Sequence, residues 1–290
     1  MPGSQLLTAR GHNAEADNTA AAAAIGAEAE GKRTCQWRIT VRSFEMKLAL
    51  QEFSSKVEFE LQQPDVSALA DSLAQFERSL VLNNNSDSFV VDAYCIVCDG
   101  PRSFFVDYQY GGNREALRPN FRERLICPTC DLNSRMRACI HLLERNLSLP
   151  SSAMIYATEQ VTPLFAALKK RFSHIIGSEF LNDGTAFGDM NNKEIRSEDM
   201  TCLTFPSGKF DAVLSFECLE HIPNYQAALA ECRRVLKPGG MLLLTAPFRL
   251  DAAATLTRAM VNSDGTIRHI EPAEYHGDPQ RRRAPISHRD

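Results

Sequence analysis

Apolar positions change their spacing along the chain, and the clearest pattern lies in the second half. From Ser151 onward, short runs typical of buried strands alternate with runs at helical spacing, which predicts a parallel sheet with helices on its faces. The predicted elements, in order, are strand Met154–Ala157, helix Thr162–Phe172, strand His174–Ser178, strand Phe210–Ser215, helix Tyr225–Leu236 and strand Met241–Ala246. This half of the chain is therefore expected to be an α/β domain.

The first half is less regular. Residues 1–34 have few large apolar side chains, so they cannot offset the entropy of ordering and are expected to form a disordered tail. Residues 35–90 form a mixed region, in which Phe44–Phe53 suits a helix and Val57–Leu61 suits a strand, and both assignments stay open. A clearer helix opens at Pro64, with apolar residues at helical spacing: Val66, Leu69, Leu73, Phe76 and Leu80.

Composition narrows the class of protein. The 290 residues are 44% hydrophobic and 23% charged, which is ordinary for a globular chain of about two domains. A net charge of -4 argues against holding nucleic acid by bulk electrostatics. Because no apolar run is long enough to span a bilayer and no signal peptide is evident, we expect a cytoplasmic protein with no membrane partner.

Four of the nine cysteines form two close pairs, Cys95 with Cys98 and Cys127 with Cys130. In a reducing compartment, metal binding is favoured over disulfides. Two thiolates three residues apart on a tight turn can face one ion, and two such pairs complete a tetrahedron of sulfur around Zn²⁺. With every ligand supplied by protein, this zinc would be structural. Residues 91–150 are accordingly assigned to a zinc-ribbon-like module and a linking helix, the alternative being four unrelated buried thiols.

The other cysteines and the nearby arginines have simpler interpretations. Core packing is the default for the five unpaired cysteines: Cys35, Cys139, Cys202, Cys218 and Cys232. Cys139 is expected on the buried face of a helix that begins near Asn133. That helix carries three arginines, Arg135, Arg137 and Arg145. Arginines beside a zinc site can bind phosphates, but a solvated helix face is the favoured interpretation.

Residues 210–248 (FDAVLSFECLEHIPNYQAALAECRRVLKPGGMLLLTAPF) combine several fixed features. A buried strand is followed by Leu219-Glu220-His221 at its carboxyl end, the edge where open α/β sheets bind ligands. Pro238-Gly239-Gly240 then stops a helix before the next strand. The segment resembles the second half of a class I S-adenosylmethionine-dependent methyltransferase, of the type 11-like group. The resemblance implies a Rossmann-like sheet over residues 151–280 and S-adenosyl-L-methionine as the cofactor.

The same resemblance implies a set of cofactor contacts. Glu179 would accept hydrogen bonds from both ribose hydroxyls, its alternative being a surface carboxylate after a strand. Asp199 would accept from the adenine amine, with Met200 on the ring face, although a turn aspartate is equally expected. His221 either approaches the cofactor or caps its loop. Ser215, at the end of its strand, is the remaining member of this group.

The first loop departs from the family pattern. That loop is normally glycine-rich, which lets the backbone approach the methionine part of the cofactor, but no glycine occurs between Ser151 and Ser173. By resemblance to methyltransferases with an N-terminal cysteine cluster, Thr158 and Glu159 take its place, with Glu159 facing the amino group of the cofactor. A fold that has lost its cofactor is the alternative.

The C-terminal region departs as well. A complete fold of this class has an antiparallel hairpin after strand Met241–Ala246, and we expect these last two strands to be missing. The segment Arg268–Pro279 resembles a loop over the substrate side, with four candidate contacts: His269, Glu274, His276 and Asp278. The arginine-rich residues 281–290 are expected to form a second disordered tail.

Three functions remain open. The first is methyl transfer to a small molecule or saccharide, favoured by the acidic net charge, with His276 or Asp278 as the general base for a hydroxyl acceptor. The second is an RNA methyltransferase whose zinc module holds the substrate, with Arg135, Arg137 and the stretch Arg114–Arg124 as phosphate contacts. The third is a non-catalytic zinc-binding module on a decayed methyltransferase fold.

Overall fold

The computed structural model describes residues 24–28, 36–41, 44–49, 56–61, 63–81, 86–144, 149–246, 257–262, 264 and 266–272. The chain divides into two compact units, Met1–Arg145 and Asn146–Asp290. Our sequence boundary between the zinc module and the methyltransferase domain falls close by, at residue 150. The predicted tail over residues 281–290 lies outside the described residues.

The first unit opens with an antiparallel sheet of three strands. Its order is β1 (Ala24–Glu28), β2 (Gln36–Val41) and β3 (Phe44–Ala49). Strand β1 lies inside the segment expected to be disordered, so that expectation is wrong for these residues, because backbone pairing with β2 orders them. The remainder of residues 1–34 lies outside the description.

Two helices follow this sheet, α1 (Lys56–Leu61) and α2 (Gln63–Val81). The two open assignments therefore resolve in reverse, with a strand over Phe44–Ala49 and a helix where the alternation suggested a strand. The helix expected from Pro64 is confirmed. Its apolar stripe supplies Leu73, Phe76 and Val81 to the core of this unit.

The rest of the first unit is a hairpin and two short helices. Strands β4 (Ser88–Cys95) and β5 (Gly100–Asp107) pair antiparallel, and helices α3 (Phe121–Arg124) and α4 (Ser134–Leu142) follow. The side chain of Asn133 accepts a hydrogen bond from Met136 N at 2.9 Å and so caps α4. Cys139 is buried. The expected start of this helix and the burial of Cys139 are both confirmed.

The second unit is built on a four-stranded parallel sheet of order β7-β6-β8-β9. Its elements along the chain are β6 (Ile155–Ala157), α5 (Pro163–Lys169), β7 (Ile175–Gly177), β8 (Phe210–Phe216), α6 (Tyr225–Val235) and β9 (Leu236–Thr245). The alternation of strands and helices predicted from the sequence is confirmed. Because the strands are parallel, all four carboxyl ends meet at one edge of the sheet.

Three aromatic rings fill the centre of the second unit. Tyr156 and Phe210 are fully buried, and their ring centroids lie 4.9 Å and 5.0 Å from that of Phe205. Rings at these separations and tilts attract one another beyond their burial of apolar surface. This cluster fixes β6 and β8 side by side.

Two further strands lie beyond β9. Strands β10 (Ala259–Val261) and β11 (Ile267–His269) pair antiparallel with each other in a separate two-stranded sheet, and their side chains are exposed. The sequence predicts no strand here, because the segment from Arg268 onward resembles a loop. The expected absence of the last two strands from the parallel sheet itself stays a prediction.

Glu77 generates a test of how burial acts on this fold. Burial on α2 raises the pKa of the Glu77 carboxyl to about 7, with the charge of Arg78 opposing the rise. The folded chain therefore keeps this proton at pH values where the unfolded chain, with a pKa near 4.5, has lost it. Stability consequently falls as the pH rises from about 4.5 to about 7.

Replacing Glu77 by Gln should remove that loss. We expect Glu77→Gln and the parent to differ little at pH 4.5, and the variant to be more stable by about 2 to 3 kcal/mol at pH 8. Urea unfolding followed by circular dichroism at the two pH values measures this, with the exposed Glu115→Gln as control. A difference that is the same at both pH values would contradict it.

Candidate cofactor and metal sites

The turn after β6 is the segment that we expect to replace a glycine-rich loop. Thr158 N donates to Leu214 O at 3.0 Å, and Thr158 Oγ1 lies 3.3 Å from the buried Ser215 Oγ. Two of the predicted cofactor residues, Thr158 and Ser215, are thus brought together at the carboxyl ends of β6 and β8. The contacts of Thr158 with β8 therefore hold this turn, which contains no glycine.

Glu159 contacts the first turn of α5. The Thr162 hydroxyl donates to Glu159 Oε2, and Thr162 Oγ1 accepts from Phe165 N at 3.1 Å as the cap of the helix. This arrangement fixes the direction of the Glu159 side chain. A contact from Glu159 to the amino group of a cofactor stays a prediction.

Glu179 follows β7 at the same edge of the sheet. Its Oε1 accepts hydrogen bonds from Gln160 N at 2.7 Å and from Val161 N at 2.9 Å. The turn after β6 and the end of β7 come this close because residue 177 is glycine. A Cβ atom there would lie 2.6 Å from Glu159 O. The carboxylate that we predict to bind the ribose therefore also holds the turn after β6.

Asp199 and Met200 have structural partners. Asp199 Oδ1 accepts from Thr201 N at 2.8 Å and from Thr201 Oγ1 at 2.7 Å, which is the turn interpretation of this aspartate. Met200 is buried in the core, with its Sδ 3.5 Å from Cys218 Sγ. Burial of Met200 leaves its assignment to the face of an adenine ring a prediction, and the same holds for Asp199.

Cys218 is a residue of this edge that sequence reasoning assigned to simple core packing. Burial raises the pKa of its thiol, a hydrogen bond with Thr158 opposes the rise, and the charges of Glu220, Glu159 and Glu179 add to it. Those partners place Cys218 among the predicted cofactor residues. Its position two residues beyond the end of β8 was the feature of the sequence that could have indicated Cys218 as a site residue.

The predicted histidines lie in different settings. His221 belongs to a 3-10 turn, Leu219–His221, where its side chain is 56% exposed and its Nε2 lies 3.9 Å from Glu220 Oε1. His269 lies in β11 and is exposed. Glu274, His276 and Asp278 lie outside the described residues, as does Cys35.

Glu198 and Arg196 were missed by sequence reasoning. Glu198 is buried, and its Oε1 accepts from Arg196 Nε at 2.8 Å and from Thr204 Oγ1 at 2.6 Å. The guanidinium of Arg196 also lies 4.6 Å from the centroid of the Phe205 ring. This buried ion pair closes the loop that carries Asp199 and Met200.

In the first unit, the paired cysteines come together as predicted. The four Sγ atoms of the four-cysteine cluster lie within 4.8 Å of one another: Cys95, Cys98, Cys127 and Cys130. The closest contacts run between the pairs, Cys95 to Cys130 and Cys98 to Cys127, each at 3.8 Å. The end of the β4–β5 hairpin supplies the first pair. The second pair follows a bridge in which Phe105 and Ile126 exchange backbone hydrogen bonds of 2.9 Å.

Each cysteine pair ends in the same backbone conformation. Asp99 and Asp131, which directly follow Cys98 and Cys130, have positive φ angles of 48° and 58°. Aspartate is one of the few residues with a side chain that tolerates this left-handed region. The two turns thus share this backbone feature. Their four thiols fit a metal ion with closed, tetrahedral thiolate coordination, such as Zn²⁺.

Several arginines of the first unit pair with carboxylates. Arg124 forms two hydrogen bonds with Asp107, at 2.6 Å and 2.5 Å, and Arg114 lies 2.9 Å from Asp87. Burial tends to raise the pKa of Asp107, but the Arg124 hydrogen bonds outweigh it and hold that pKa below its usual range. Arg122 and Arg135 both contact Glu123. These pairs satisfy charges that the RNA alternative assigns to phosphates.

Arg137 contradicts both sequence interpretations of the α4 arginines. Its side chain is neither solvated nor turned toward a phosphate, because the residue is only 5% exposed. Arg145 lies outside the described residues.

Part of the second unit matches a known protein family. Residues 160–244 match the methyltransferase domain family. The matched segment is less than a third of the chain and runs from the turn before α5 into β9. Thr158 and Glu159 lie just before the matched residues. No helix in the described part of the chain is long and apolar enough to cross a membrane.

Curated relatives match a shorter segment. Ubiquinone biosynthesis O-methyltransferase from Xanthomonas oryzae pv. oryzae is 40% identical over 70 residues, which are 24% of this chain and 28% of that protein. The protein of the same name from Xanthomonas axonopodis pv. citri is 39% identical over 70 residues, with the same coverage. The chain thus covers little more than a quarter of the length of these relatives.

Solved structures give weaker likenesses. A putative methyltransferase from Bacillus halodurans has a TM-score of 0.31 at 18% identity, covering 39% of this chain and 50% of that chain. The YcgJ protein from Bacillus subtilis has a TM-score of 0.31 at 17% identity, covering 37% and 49%. Scores this low do not decide the fold, which rests on the strand order of the chain itself.

The buried Arg196–Glu198 pair should matter for stability. Glu198→Ala leaves a mostly buried guanidinium without its carboxylate, and we expect a loss of about 3 to 5 kcal/mol in the free energy of unfolding. Urea unfolding measures it. Lys237→Ala, which breaks the more exposed ion pair with Asp211, is the control and should cost about 1 kcal/mol or less. Equal losses in the two variants would refute this assignment.

Proposed function

We propose that the chain is an S-adenosylmethionine-dependent methyltransferase that acts on a small-molecule or saccharide acceptor. The observation that carries the proposal is the family match over residues 160–244, which falls on a parallel sheet with an acidic residue after β7. The relatives named for ubiquinone biosynthesis are O-methyltransferases, which favours a hydroxyl as the acceptor. A cytoplasmic location and the absence of a membrane partner belong to the same proposal.

The cofactor, when bound, supplies an electrophilic methyl group, so the protein's task is to align the acceptor with it. Glu179 would hold the ribose hydroxyls, since it follows β7 at the carboxyl edge of the sheet and a carboxylate can accept about four hydrogen bonds. Thr158, Glu159, Ser215 and His221 would line the same edge, with Asp199 and Met200 toward the adenine. A hydroxyl acceptor must lose a proton, and His276 or Asp278 is our candidate base.

The structure's arginines disfavour the RNA alternative. Among its proposed phosphate contacts, Arg114, Arg122, Arg124 and Arg135 contact carboxylates and Arg137 is buried, whereas Arg118 of the same stretch is exposed. The third alternative, a domain that has lost its cofactor, is separated from ours by a binding measurement.

Calorimetric titration of the full chain with S-adenosylhomocysteine tests the cofactor proposal. Glu179→Gln keeps an oxygen for the two amides but removes the charge, so the affinity should fall about ten- to a hundredfold, or roughly 1.5 to 3 kcal/mol. Asp189→Asn, an exposed carboxylate of the same unit, is the control and should bind as the parent does. No binding by the parent would favour the decayed fold, and equal binding by Glu179→Gln would remove Glu179 from the site.

We propose further that the four-cysteine cluster holds one structural Zn²⁺. Loss of a structural zinc removes on the order of 10 kcal/mol of folding free energy in zinc-finger peptides. Cys127→Ser should therefore lose the stoichiometric zinc of the parent and unfold residues 94–133, as limited proteolysis would show. Cys202→Ser, at an exposed thiol, is the matched control. Freshly purified, reduced parent protein without zinc by elemental analysis would refute the proposal.

A further inference from the structure

Arg137 lies on α4, directly after the second cysteine pair. Its Nη1 donates to Leu125 O at 2.8 Å and also to Leu132 O, while Nη2 donates to Ser134 Oγ at 3.2 Å. Leu132 O also accepts from Cys127 N at 3.1 Å. The guanidinium therefore holds the backbone on both sides of the Cys127–Cys130 turn.

Those contacts satisfy the hydrogen bonds of Arg137 but not its charge. Two carbonyls and a hydroxyl are neutral, and so is the Phe104 ring, whose centroid lies 4.4 Å from the Arg137 Cζ atom. In the described part of the chain, no carboxylate forms an ion pair with Arg137, in contrast to Arg124 and Arg135. A buried charge is costly unless an opposite charge compensates it.

The four-cysteine cluster adjoins this charge, because Leu132 O accepts hydrogen bonds both from Arg137 Nη1 and from Cys127 N. Burial lowers the pKa of the Arg137 guanidinium, and the charges that oppose this effect are those of all four cysteines of the cluster. Four thiolates around one divalent cation leave an excess of negative charge at the centre of a module whose surroundings are apolar. The positive charge of the Arg137 guanidinium and the excess negative charge of the thiolates would therefore compensate each other.

We infer that Arg137 is the internal counter-charge of a thiolate metal centre and positions its second cysteine pair, an inference that rests on the zinc site proposed above. Arg137 touches the carbonyls that frame the ligands and is not itself a ligand. Groups that surround the primary ligands of a metal in this way typically change its affinity ten- to a hundredfold.

The test compares two variants that lose the same hydrogen-bonding fork. Arg137→Gln removes the charge, whereas Arg137→Lys keeps it. Zinc affinity of the full chain is measured by competition with a chromogenic chelator, and the thiolate-to-metal charge-transfer band is recorded after Co²⁺ replaces zinc. We expect about a ten- to hundredfold loss of affinity and a shifted band in the Gln variant, and recovery of most of both by Lys. Arg135→Gln, on the same helix and paired with Glu123, should match the parent.

The outcomes separate this inference from the zinc proposal. A parent that binds zinc, with Gln and Lys variants equally weak, would assign Arg137 to packing and overturn its role as a counter-charge. A Gln variant as tight as the parent would overturn it as well. If Gln fails to fold and Lys folds and binds zinc, the charge is supported, whereas failure of both overturns it. A parent without metal overturns the zinc site and this inference together.

Discussion

The hydrogen bonds from the Gln160 and Val161 amides to the Glu179 carboxylate hold together the edge of the second unit. A turn without glycine cannot fold its backbone tightly around a ligand, so its exposed amides need an acceptor supplied by another element. Glu179 supplies it from the end of β7, and Gly177 leaves the space that lets the two segments approach. Thr162 then caps α5 and holds Glu159, while contacts with Leu214 and Ser215 hold Thr158.

In the first unit, the question is how a small module becomes stable. A two-stranded hairpin and two short helices bury little apolar surface, which is seldom enough for independent stability. Cys95 and Cys127 nevertheless lie in the same core as Phe104 and Leu125. A metal there would connect segments that are far apart in sequence, and Arg137 would make its charge tolerable in that core. In each unit a charged side chain thus holds backbone through hydrogen bonds, Glu179 in the second unit and Arg137 in the first.

Sequence reasoning was strongest where one signal dominated. The periodicity of α2 and the apolar run of β8 both predicted their elements, because local pattern and burial agree there. The assignments near Phe44 and Val57 resolved in reverse, since short apolar runs suit either helix or strand until a partner strand such as β2 is known. The clustering of the four paired cysteines was predictable, because two thiols three residues apart on a tight turn face the same point.

Charged residues were the least predictable. Arg137 and Glu198 look like solvated surface in the sequence, and only the fold shows that both are buried and that Glu198 pairs with Arg196. Cys218 was harder to assign than the paired cysteines, because a lone cysteine has no spacing to interpret and only its place after β8 pointed to the site. Long-range electrostatic partners leave no periodic trace, so they become visible only when strands and turns from separate segments are brought together.

The four cysteines differ in how a reagent or an ion can reach them. Cys95 and Cys127 are buried, whereas Cys98 and Cys130 are only partly buried, and each 3.8 Å contact joins a buried thiol to a more accessible one. An electrophile or a competing chelator therefore meets one sulfur from each pair first. Metal exchange would proceed from that side, with Cys98 and Cys130 released before the inner thiols, so both turns would loosen together.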